Sequence, residues 1–520
     1  MLEQVNQYQN LAQFIEQAAQ RYAAQDAFTC LGQTLTFSEI NNHADNLAGY
    51  LHQLGLQAGD RIAVQLPNIN QYPIAAFAAL KLGLVLVNTN PLYTQREMQH
   101  QFNDSGAKAI VILSDLYPKL QGILADTQLE HVICTGAADL LKGQTDAVDG
   151  DCVLFSEALK QGAGVTYPRS QATLDDVAVL QYTGGTTGLS KGAQLTHLNL
   201  LANTIQTKEA FADRCKEMSE VFICPLPLYH IYAFTLSLLI FTGYGNHTVL
   251  IPNPRDLEGF IQAAKVHQFT TFAGINTLFM GLCATEAFHE LDFSKLQLTV
   301  SGGAALTTTA ANTWMKVTGC TITEGYGLSE TSPVVTFNRP GEEQIGTVGF
   351  AIRDTDVQLW DADDNPVADG ESGQIVVKGP QVMTGYWNRP EETAKAITPE
   401  GYFKTGDVGI RQPDGAIKII DRLKDMIIVS GFNVYPNEVE EVLVSHPAVF
   451  EAAVVGKADE RTGEAVHAFI TLKGEVDEQE LQTFCRQHMT NYKVPKHIHV
   501  LNELPKSTVG KILRRELRSA

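Results

Sequence analysis

Two spacings of apolar residues alternate along the first half of the chain. The segment that begins at Thr36 and ends near Gly55 has apolar residues three or four positions apart, which predicts an amphipathic helix. A second helix is predicted from Thr94, which with Glu97 forms a capping-box pattern. Residues 61–66 and 109–113 are short apolar runs that predict buried strands. This alternation is typical of a layered α/β domain with much parallel sheet.

The pattern changes twice in the second half. From about Gly346 onwards it becomes rich in strands and in Gly and Asp turns, which predicts a β subdomain. After Asp425 a helix beginning near Pro436 is followed by the alternating residues 449–455 and a second helix over about 478–489. These features predict a separate, small α+β C-terminal domain.

Charge and cysteine content narrow the function classes. The chain has 38 Lys and Arg against 58 Asp and Glu, a net charge of −20, which argues against a nucleic-acid-binding protein. The eight cysteines form no CxxC pair, so we expect reduced, mostly buried thiols. The first residues have neither a basic nor an apolar region, so a secretory signal is not expected.

Residues 221–254 contain no Asp, Glu, Lys or Arg. Prolines and glycines interrupt this stretch, and its apolar centre at 231–241 is too short to span a bilayer. We therefore expect a buried core segment or the wall of an apolar pocket.

The most informative segment is the glycine-, threonine- and lysine-rich stretch 182–192. Glycine allows backbone N–H groups to turn toward a ligand, and hydroxyls and a lysine add donors, which suits a polyphosphate. The segment is not a Walker A loop. A start at Gly185 places Ser190 where a second glycine is required, and Gly192 where Ser or Thr must follow Lys191. Taken alone, the segment is equally compatible with a flexible surface loop.

Four further segments carry candidate chemistry. In 325–330 a glycine turn is expected to hold a hydroxyl beside a carboxylate, a donor set that suits Mg²⁺ with phosphate oxygens. In 404–407 an aspartate after a turn can accept from two ribose hydroxyls. Residues 421–425 are densely charged at the predicted domain boundary, and 505–511 form a basic tail. Each segment alone is more often an ordinary turn or a solvated charged stretch.

In this order, the five segments resemble the adenylate-forming superfamily of acyl-CoA synthetases, luciferases and peptide-synthetase adenylation domains. The resemblance covers nearly the whole chain. Residues 87–94, 274–279 and 429–438 are more similar still to bacterial long-chain fatty-acid–CoA ligases. The resemblance implies a large AMP-binding domain over 1–421, a hinge at 422–425 and a small mobile domain over 426–520.

The resemblance also implies roles for individual residues. The ATP phosphates are expected to bind Thr183, Gly184, Gly185, Thr186, Thr187 and Lys191. The residues expected beside the adenine, the ribose and the phosphates are Gly302, Gly303, Ala304, Glu324, Gly325, Tyr326, Ser329, Asp407 and Arg422. Mg²⁺ is expected at Glu330 and Thr183, and the pantetheine arm of CoA at Ser430 and Gly431. Many relatives have Thr where this chain has Ser329, a change that keeps the hydroxyl.

The remaining implied roles concern catalysis and the acyl substrate. Lys511 is expected to be the adenylation lysine, Lys424 the hinge and His230 a residue near the acyl carboxylate. The acyl group is expected to contact Tyr232, Phe234, Gly274 and Asn276. No acidic residue occupies a place suited to an amino-acid amine, which disfavours an amino-acid substrate.

The implied activity is an AMP-forming long-chain fatty-acid–CoA ligase that uses ATP, Mg²⁺ and CoA. The alternatives are a medium-chain or aryl-acid CoA ligase, an acyl-AMP ligase feeding a carrier protein, and a non-catalytic lipid-binding relative. The intact Glu330, Asp407, Arg422 and Lys511 argue against the last. We expect a cytoplasmic protein with no nucleic-acid partner. A transient peripheral membrane contact and a homodimer are both left open.

Overall fold

A computed structural model of the chain describes residues 2–143, 148–183, 190–507 and 510–518, and these form four sheets. The first sheet is parallel from the strand Asp26–Cys30 to the strand Ile322–Gly327, with antiparallel strands at both edges. Its strands, from edge to edge, are Phe350–Ala351, Val334–Phe337, Ile322–Gly327, Leu298–Ser301, Thr271–Gly274, Val221–Cys224, His247–Leu250, Asp26–Cys30 and Gln33–Thr36.

The second sheet is also largely parallel, and its antiparallel strands lie beside the glycine-rich segment. Its strands are Gly385–Tyr386, Lys191–Thr196, Val177–Thr183, Val85–Asn88, Arg61–Gln65, Ala107–Leu113, His131–Thr135 and Val153–Leu154. One apolar cluster contains side chains from both sheets, including Phe222 and Val64, so the main core lies between them. The predicted layered α/β architecture is confirmed.

The helices cover the sheets and fill the space between them. Every residue of Gln71–Leu82 is buried, including Lys81, whose ammonium binds Asp45 at 2.7 Å. The other α-helices are Leu2–Val5, Leu11–Arg21, Phe37–Gln53, Gln95–Ser105, Tyr117–Gln121, Asp139–Lys142, Phe155–Gln161, His197–Ala210, Ile231–Ala233, Leu257–Val266, Asn276–Cys283, Thr308–Thr318, Pro390–Ala396, Pro436–Ser445, Glu478–His488 and Arg514–Arg518. Among the described helices, none combines the length and apolar character needed to cross a membrane.

The third and fourth sheets belong to the second half. The third is an antiparallel sheet of Asp356–Trp360, Ser372–Lys378, Phe403–Arg411 and Ile417–Arg422, which confirms the predicted β subdomain. The fourth contains Phe432–Val434, Ile427–Val429, Gly463–Leu472, Val449–Asp459 and His497–Val500. With the helices Pro436–Ser445 and Glu478–His488 it forms the α+β C-terminal part, which has its own apolar cluster.

The structure differs from the sequence-based expectation at two of the motifs. Gly325 and Gly327 lie in an extended strand that pairs with Val334–Phe337, and not in a tight turn. Asp407 likewise lies within the strand Phe403–Arg411, where Gly406 has a φ of +74°. The cysteines agree with the expectation, since all are free and all except Cys152 are buried.

Candidate active site

An aspartate shared between a tyrosine and an arginine joins the first and third sheets. Tyr326 Oη donates to Asp407 Oδ2 at 2.7 Å, and Arg422 Nε lies 3.2 Å from Asp407 Oδ1. Asp407 and Arg422 are directly opposite each other on neighbouring antiparallel strands. The pairing therefore fixes a buried carboxylate beside a cation, and three of the predicted nucleotide-binding residues meet here.

The C-terminal tail reaches the first sheet. A Cβ added to Gly510 would overlap Ile275 Cδ1 and approach Thr277 Oγ1 to 3.0 Å. Gly510 also has a φ of +74°, a conformation that favours glycine. The tail therefore packs against the start of the helix Asn276–Cys283, one residue away from Lys511.

The Lys511 ammonium lies in a partly desolvated, largely cationic environment. Burial, followed by the nearby Arg422, lowers the pKa of Lys511 to about 7, and Asp407 acts in the opposite direction. Lys511 also contributes, after burial, to lowering the pKa of His230 to about 4. Lys511 is therefore near enough to Arg422, Asp407 and His230 for its charge to affect, or be affected by, theirs. An anion bound here would relieve the repulsion between Lys511 and Arg422.

His230 is held as a neutral ring at the start of a helix. Its Nδ1 accepts from Tyr232 N at 3.3 Å, which leaves the proton on Nε2. With a pKa of about 4, the ring is uncharged at neutral pH. His230 can therefore donate a hydrogen bond without adding another positive charge beside Lys511.

A second carboxylate, Glu330, is held by a tyrosine on the short strand that pairs with Lys191–Thr196. Tyr386 Oη donates to Glu330 Oε1 at 2.8 Å, and Lys191 Nζ lies 4.4 Å from the centre of the Tyr386 ring. Lys191 Nζ also binds Glu392 Oε2 at 3.1 Å. Burial raises the pKa of Glu330. Binding a cation would offset the cost of burying this carboxylate, and an oxygen ligand set fits Mg²⁺.

The two strands that flank the glycine-rich segment are in register, with Thr183 opposite Lys191. Thr183 ends one strand and Lys191 begins the next, so both border the segment predicted to hold the phosphates. The strand Val177–Thr183 contacts the short turn Ser329–Thr331, and Thr183, the second predicted metal ligand, ends that strand. Gly184, Gly185, Thr186 and Thr187 lie outside the described residues.

Two side chains, those of Glu324 and Asn276, hydrogen-bond to the backbone at the end of the predicted adenine-binding loop. Glu324 Oε1 accepts from Leu306 N at 2.9 Å. Asn276 donates from Nδ2 to Ala305 O and accepts from Thr307 N at 3.0 Å. Burial raises the pKa of Glu324 to about 8, so this carboxyl is largely protonated at neutral pH. Gly302, Gly303 and Ala304 precede these anchored residues, and Gly303 and Ala304 are exposed.

The predicted acyl-binding residues divide into two groups. Tyr232 is beside Gly302, and its buried Oη has no hydrogen-bond partner among the described residues. Phe234, in contrast, is 0% exposed and begins the π-helix Phe234–Phe241, which belongs to the main core. The space beside Gly274 is filled by the rings of Phe279 and Phe272.

Other predicted residues lie at the edge of this arrangement. Ser430 and Gly431, with φ values of 52° and 84°, form the exposed turn between the strands Ile427–Val429 and Phe432–Val434. Lys424 follows the last strand of the third sheet, and its carbonyl accepts from Arg518 at 3.4 Å. Ser329 begins the short 3₁₀ turn that carries Glu330.

Sequence reasoning missed Tyr386 and Glu392. Both lie in the stretch 383–396, which hydrogen-bonds to the strand Lys191–Thr196 and, through Met383 N, to Glu330 O at 2.8 Å. Neither residue belongs to a periodic pattern or a spaced motif. Only the pairing of distant segments reveals them.

Comparison with known proteins gives consistent matches along nearly the full chain. The AMP-binding enzyme family matches residues 15–387, and the AMP-binding enzyme C-terminal domain matches residues 438–511. A long-chain-fatty-acid–CoA ligase of Salmonella typhimurium is 44% identical over 532 aligned positions, covering 99% of this chain and 95% of that protein.

Two further proteins extend the comparison. A long-chain-fatty-acid–CoA ligase of Bacillus subtilis is 38% identical, covering 98% of this chain and 94% of that protein. The crystal structure of an anthranilate CoA ligase in complex with anthranoyl-AMP superimposes with a TM-score of 0.90. It is 26% identical in sequence and covers 98% of this chain and 97% of its own.

Proposed function

Since the chain belongs to the AMP-binding enzyme family, we propose that it is an AMP-forming long-chain fatty-acid–CoA ligase. The observation that carries the proposal is the convergence of Lys511, Asp407, Arg422 and His230 from four separate segments. A partly desolvated lysine that is repelled by Arg422 suits a reaction between two anions. Curated relatives at 38–44% identity that bear the same name support the choice of substrate.

In the first step, an oxygen of the fatty carboxylate attacks the α-phosphorus of ATP, and the bond to the β-phosphate oxygen breaks. Acyl-adenylate and pyrophosphate form. Lys511 offsets the repulsion between carboxylate and triphosphate and the charge that develops on the α-phosphate. Asp407, held by Tyr326 and Arg422, accepts from the ribose hydroxyls. The binding of ATP restores full protonation of Lys511.

Glu330 and Thr183 are the residues that we propose as Mg²⁺ ligands. Mg²⁺ held there would offset the negative charge of the phosphate oxygens and of the leaving pyrophosphate. The buried carboxylate of Glu330 is already oriented by its hydrogen bond from Tyr386. Lys191, paired with Glu392 in this structure, is close enough to exchange that partner for a phosphate.

In the second step, the CoA thiolate attacks the acyl carbonyl carbon, and AMP leaves as the thioester forms. We propose that rotation about Lys424 removes Lys511 and brings the exposed turn of Ser430 and Gly431 to the acyl-adenylate. The two half-reactions then use different faces of the C-terminal part, so the adenylate is shielded from water between them.

The acyl chain is proposed to enter between His230 and the loop of Gly302. Tyr232 Oη is a buried donor without a partner among the described residues, and it lies beside Gly302. With His230 Nε2 it can orient the reacting carboxylate or its adenylate. The uncharged stretch 221–254 provides the apolar surroundings for the tail.

Membrane contact and oligomeric state are separate proposals. A long-chain substrate partitions into lipid, so we propose a transient, peripheral contact with the inner face of the membrane. Co-sedimentation with phospholipid vesicles, with and without oleate, tests this contact. The homodimer stays a prediction, which sedimentation velocity checks.

The deciding experiment measures pyrophosphate release and thioester formation across a panel of carboxylic acids, with and without CoA. Palmitate and oleate should give AMP and acyl-CoA in the presence of Mg²⁺. Release of ADP, or a preference for aryl acids, would overturn the proposal. Adenylate accumulation with no response to CoA would instead indicate an acyl-AMP ligase.

A further inference from the structure

Asp421 is a buried carboxylate whose partners lie on the far side of the predicted hinge. Its side chain is 0% exposed. Its Oδ2 accepts from the backbone N of Asn437 at 2.8 Å, and its Oδ1 lies 3.6 Å from Arg514 Nη1. The neighbouring Arg422 points to the opposite face of the strand, toward Asp407, as strand alternation requires. One face of this strand therefore serves the nucleotide site, and the other contacts the C-terminal part.

Arg514 is the centre of the contact on the C-terminal side. Its guanidinium binds Glu440 Oε1 and Oε2 at 2.9 and 2.8 Å, donates to Asn437 Oδ1 and lies 3.5 Å from Asp425 Oδ2. The side chain is only 17% exposed. Arg514 follows Lys511 by three residues, so it anchors the same tail that delivers the lysine.

We propose that Asp421 and Arg514 form a latch that holds the C-terminal part in the arrangement in which Lys511 reaches the nucleotide. The inference rests on the proposed function, because it assigns the latch to the adenylation step. Asp421 precedes Lys424, whereas Asn437 and Arg514 follow it. Rotation at Lys424 therefore separates Asp421 from both partners. An interaction present in one arrangement only shifts the equilibrium by its own free energy.

The chemistry of the latch suits repeated opening. Burial raises the pKa of Asp421 to about 6, while Arg514 and the amide of Asn437 oppose that rise and Glu440 adds to it. The desolvation of Asp421 thus cancels much of its attraction to Arg514, as is common for buried ion pairs. When the latch opens, Asp421 regains water and Arg514 keeps Glu440. Neither charge is left buried and unpaired.

The test separates the two half-reactions in the full-length protein. Asp421→Ala should lower palmitate-dependent ATP–pyrophosphate exchange by roughly 5- to 150-fold, the range of one coupling interaction. Thioester formation from supplied palmitoyl-AMP and CoA should be unchanged or faster. Arg514→Met should act in the same direction, and the double variant should lose less than the product of the two single losses. Asp421→Asn, which keeps an acceptor for Asn437, is the milder variant if the alanine variant does not fold.

A distance measurement provides a readout besides activity. Spin labels on Glu503→Cys and Glu342→Cys, both exposed positions on opposite sides of the hinge, report the arrangement with a non-hydrolysable palmitoyl-adenylate analogue bound. Asp421→Ala should increase the population of a second distance. Asp45→Asn, which breaks the Lys81 ion pair in the large domain, is the matched control and should leave the distances unchanged.

Two outcomes would overturn the latch. One is an equal loss of both half-reactions in Asp421→Ala, and the other is an unchanged distance distribution in that variant. Lys511→Ala in the wild-type background distinguishes this failure from failure of the proposed function. If Lys511→Ala abolishes exchange but spares thioester formation while the Asp421 variants do neither, only the latch is wrong.

Discussion

Gly510 lies so close to Ile275 that no Cβ fits between them, although the two residues are far apart in the sequence. Ile275 immediately precedes the helix Asn276–Cys283, and Gly510 immediately precedes Lys511. The contact packs the tail against the start of that helix. It therefore brings the residue before Lys511 into contact with the first sheet's surroundings.

Gly510→Ala should consequently impair adenylation. The added methyl at a positive φ strains the backbone and must displace the end of the Ile275 side chain or the tail. If the tail moves, a misplacement of about 1 Å can cost roughly 100-fold in rate. Thioester formation from supplied acyl-adenylate should be much less affected. The half-reaction assays measure both. Gly415→Ala, also at positive φ but with nothing within 4 Å of its Cβ, is the matched control. Equal losses in the two variants would attribute the effect to backbone strain alone.

The adenylation rate should fall as the pH rises through about 7. Burial, with Arg422 as the next cause, lowers the pKa of Lys511 to that value, so the free enzyme loses the ammonium above it. This alkaline limb, the fall in rate above about pH 7, should appear in the pH profile of kcat/KM for ATP. In the pH profile of kcat, bound ATP should move the limb to higher pH. Lys511→Arg should flatten the limb because guanidinium stays protonated. A limb that persists in that variant would assign it to another group.

Lys511→Ala should lower adenylation by about 10²–10³, the scale for losing one charge-stabilising donor. Thioester formation from palmitoyl-AMP should survive much better, because the lysine is not used in that step. Rapid-quench measurement of each half-reaction gives both rates. Lys506 lies in the same tail as Lys511 and forms an ion pair with Glu451. The variant Lys506→Ala, which breaks this ion pair, serves as the control.

The sequence predicted those features that depend on neighbouring residues. Thr94 and Glu97 form the predicted capping box, and the helix predicted to begin at Thr36 does begin there. The layered α/β core followed from the alternation of helical and strand periods. These features can be predicted because the interactions that produce them involve residues only a few positions apart.

Features that depend on distant pairing were not legible. The 325–327 glycines suggested a turn, but pairing with Val334–Phe337 extends them into a strand. Tyr386 reaches Glu330 only because the short strand Gly385–Tyr386 pairs with the strand Lys191–Thr196. Similarly, nothing near Asp421 in the sequence identifies Asn437 or Arg514 as its partners. The order of the motifs along the chain indicated the site residues. The residues that hold them in place are identified only by tertiary contacts.

Tyr386→Phe should lower the apparent affinity for Mg²⁺ in ATP binding without unfolding the protein. The variant removes the donor that orients Glu330 and leaves the ring beside Lys191 intact. Loss of one hydrogen bond to a charged group corresponds to about 10- to 150-fold in apparent Mg²⁺ affinity. Titration calorimetry of ATP at several Mg²⁺ concentrations measures it. Tyr402→Phe, which removes a hydrogen bond to Asp356, should leave the Mg²⁺ dependence unchanged.

Glu324→Gln should stabilise the protein at alkaline pH. Burial raises the pKa of Glu324 to about 8, so the folded state holds a proton that the unfolded chain releases above about pH 4.3. Wild-type stability therefore falls between these values as the pH rises. Glutamine stays neutral and can still accept from Leu306 N. The Tm difference between variant and wild type should grow from pH 5 to pH 8. A constant difference would contradict the assignment.

Phe234→Ala decides whether this ring belongs to the acyl site or only to the core. Phe234 is 0% exposed within the main apolar cluster, so its truncation should lower the free energy of unfolding by about 3–5 kcal/mol. Its position four residues after His230 predicts a second effect. Each CH₂ buried in a tail pocket is worth about 0.8 kcal/mol, so a reshaped pocket should change the palmitate-to-octanoate ratio of kcat/KM. Melting curves and that ratio are measured on the same variant. Phe155→Ala, in the same apolar cluster and equally buried but outside 221–254, is the control for stability loss alone. If both variants are destabilised and neither changes the ratio, Phe234 is a core residue and the pocket wall lies elsewhere in 221–254.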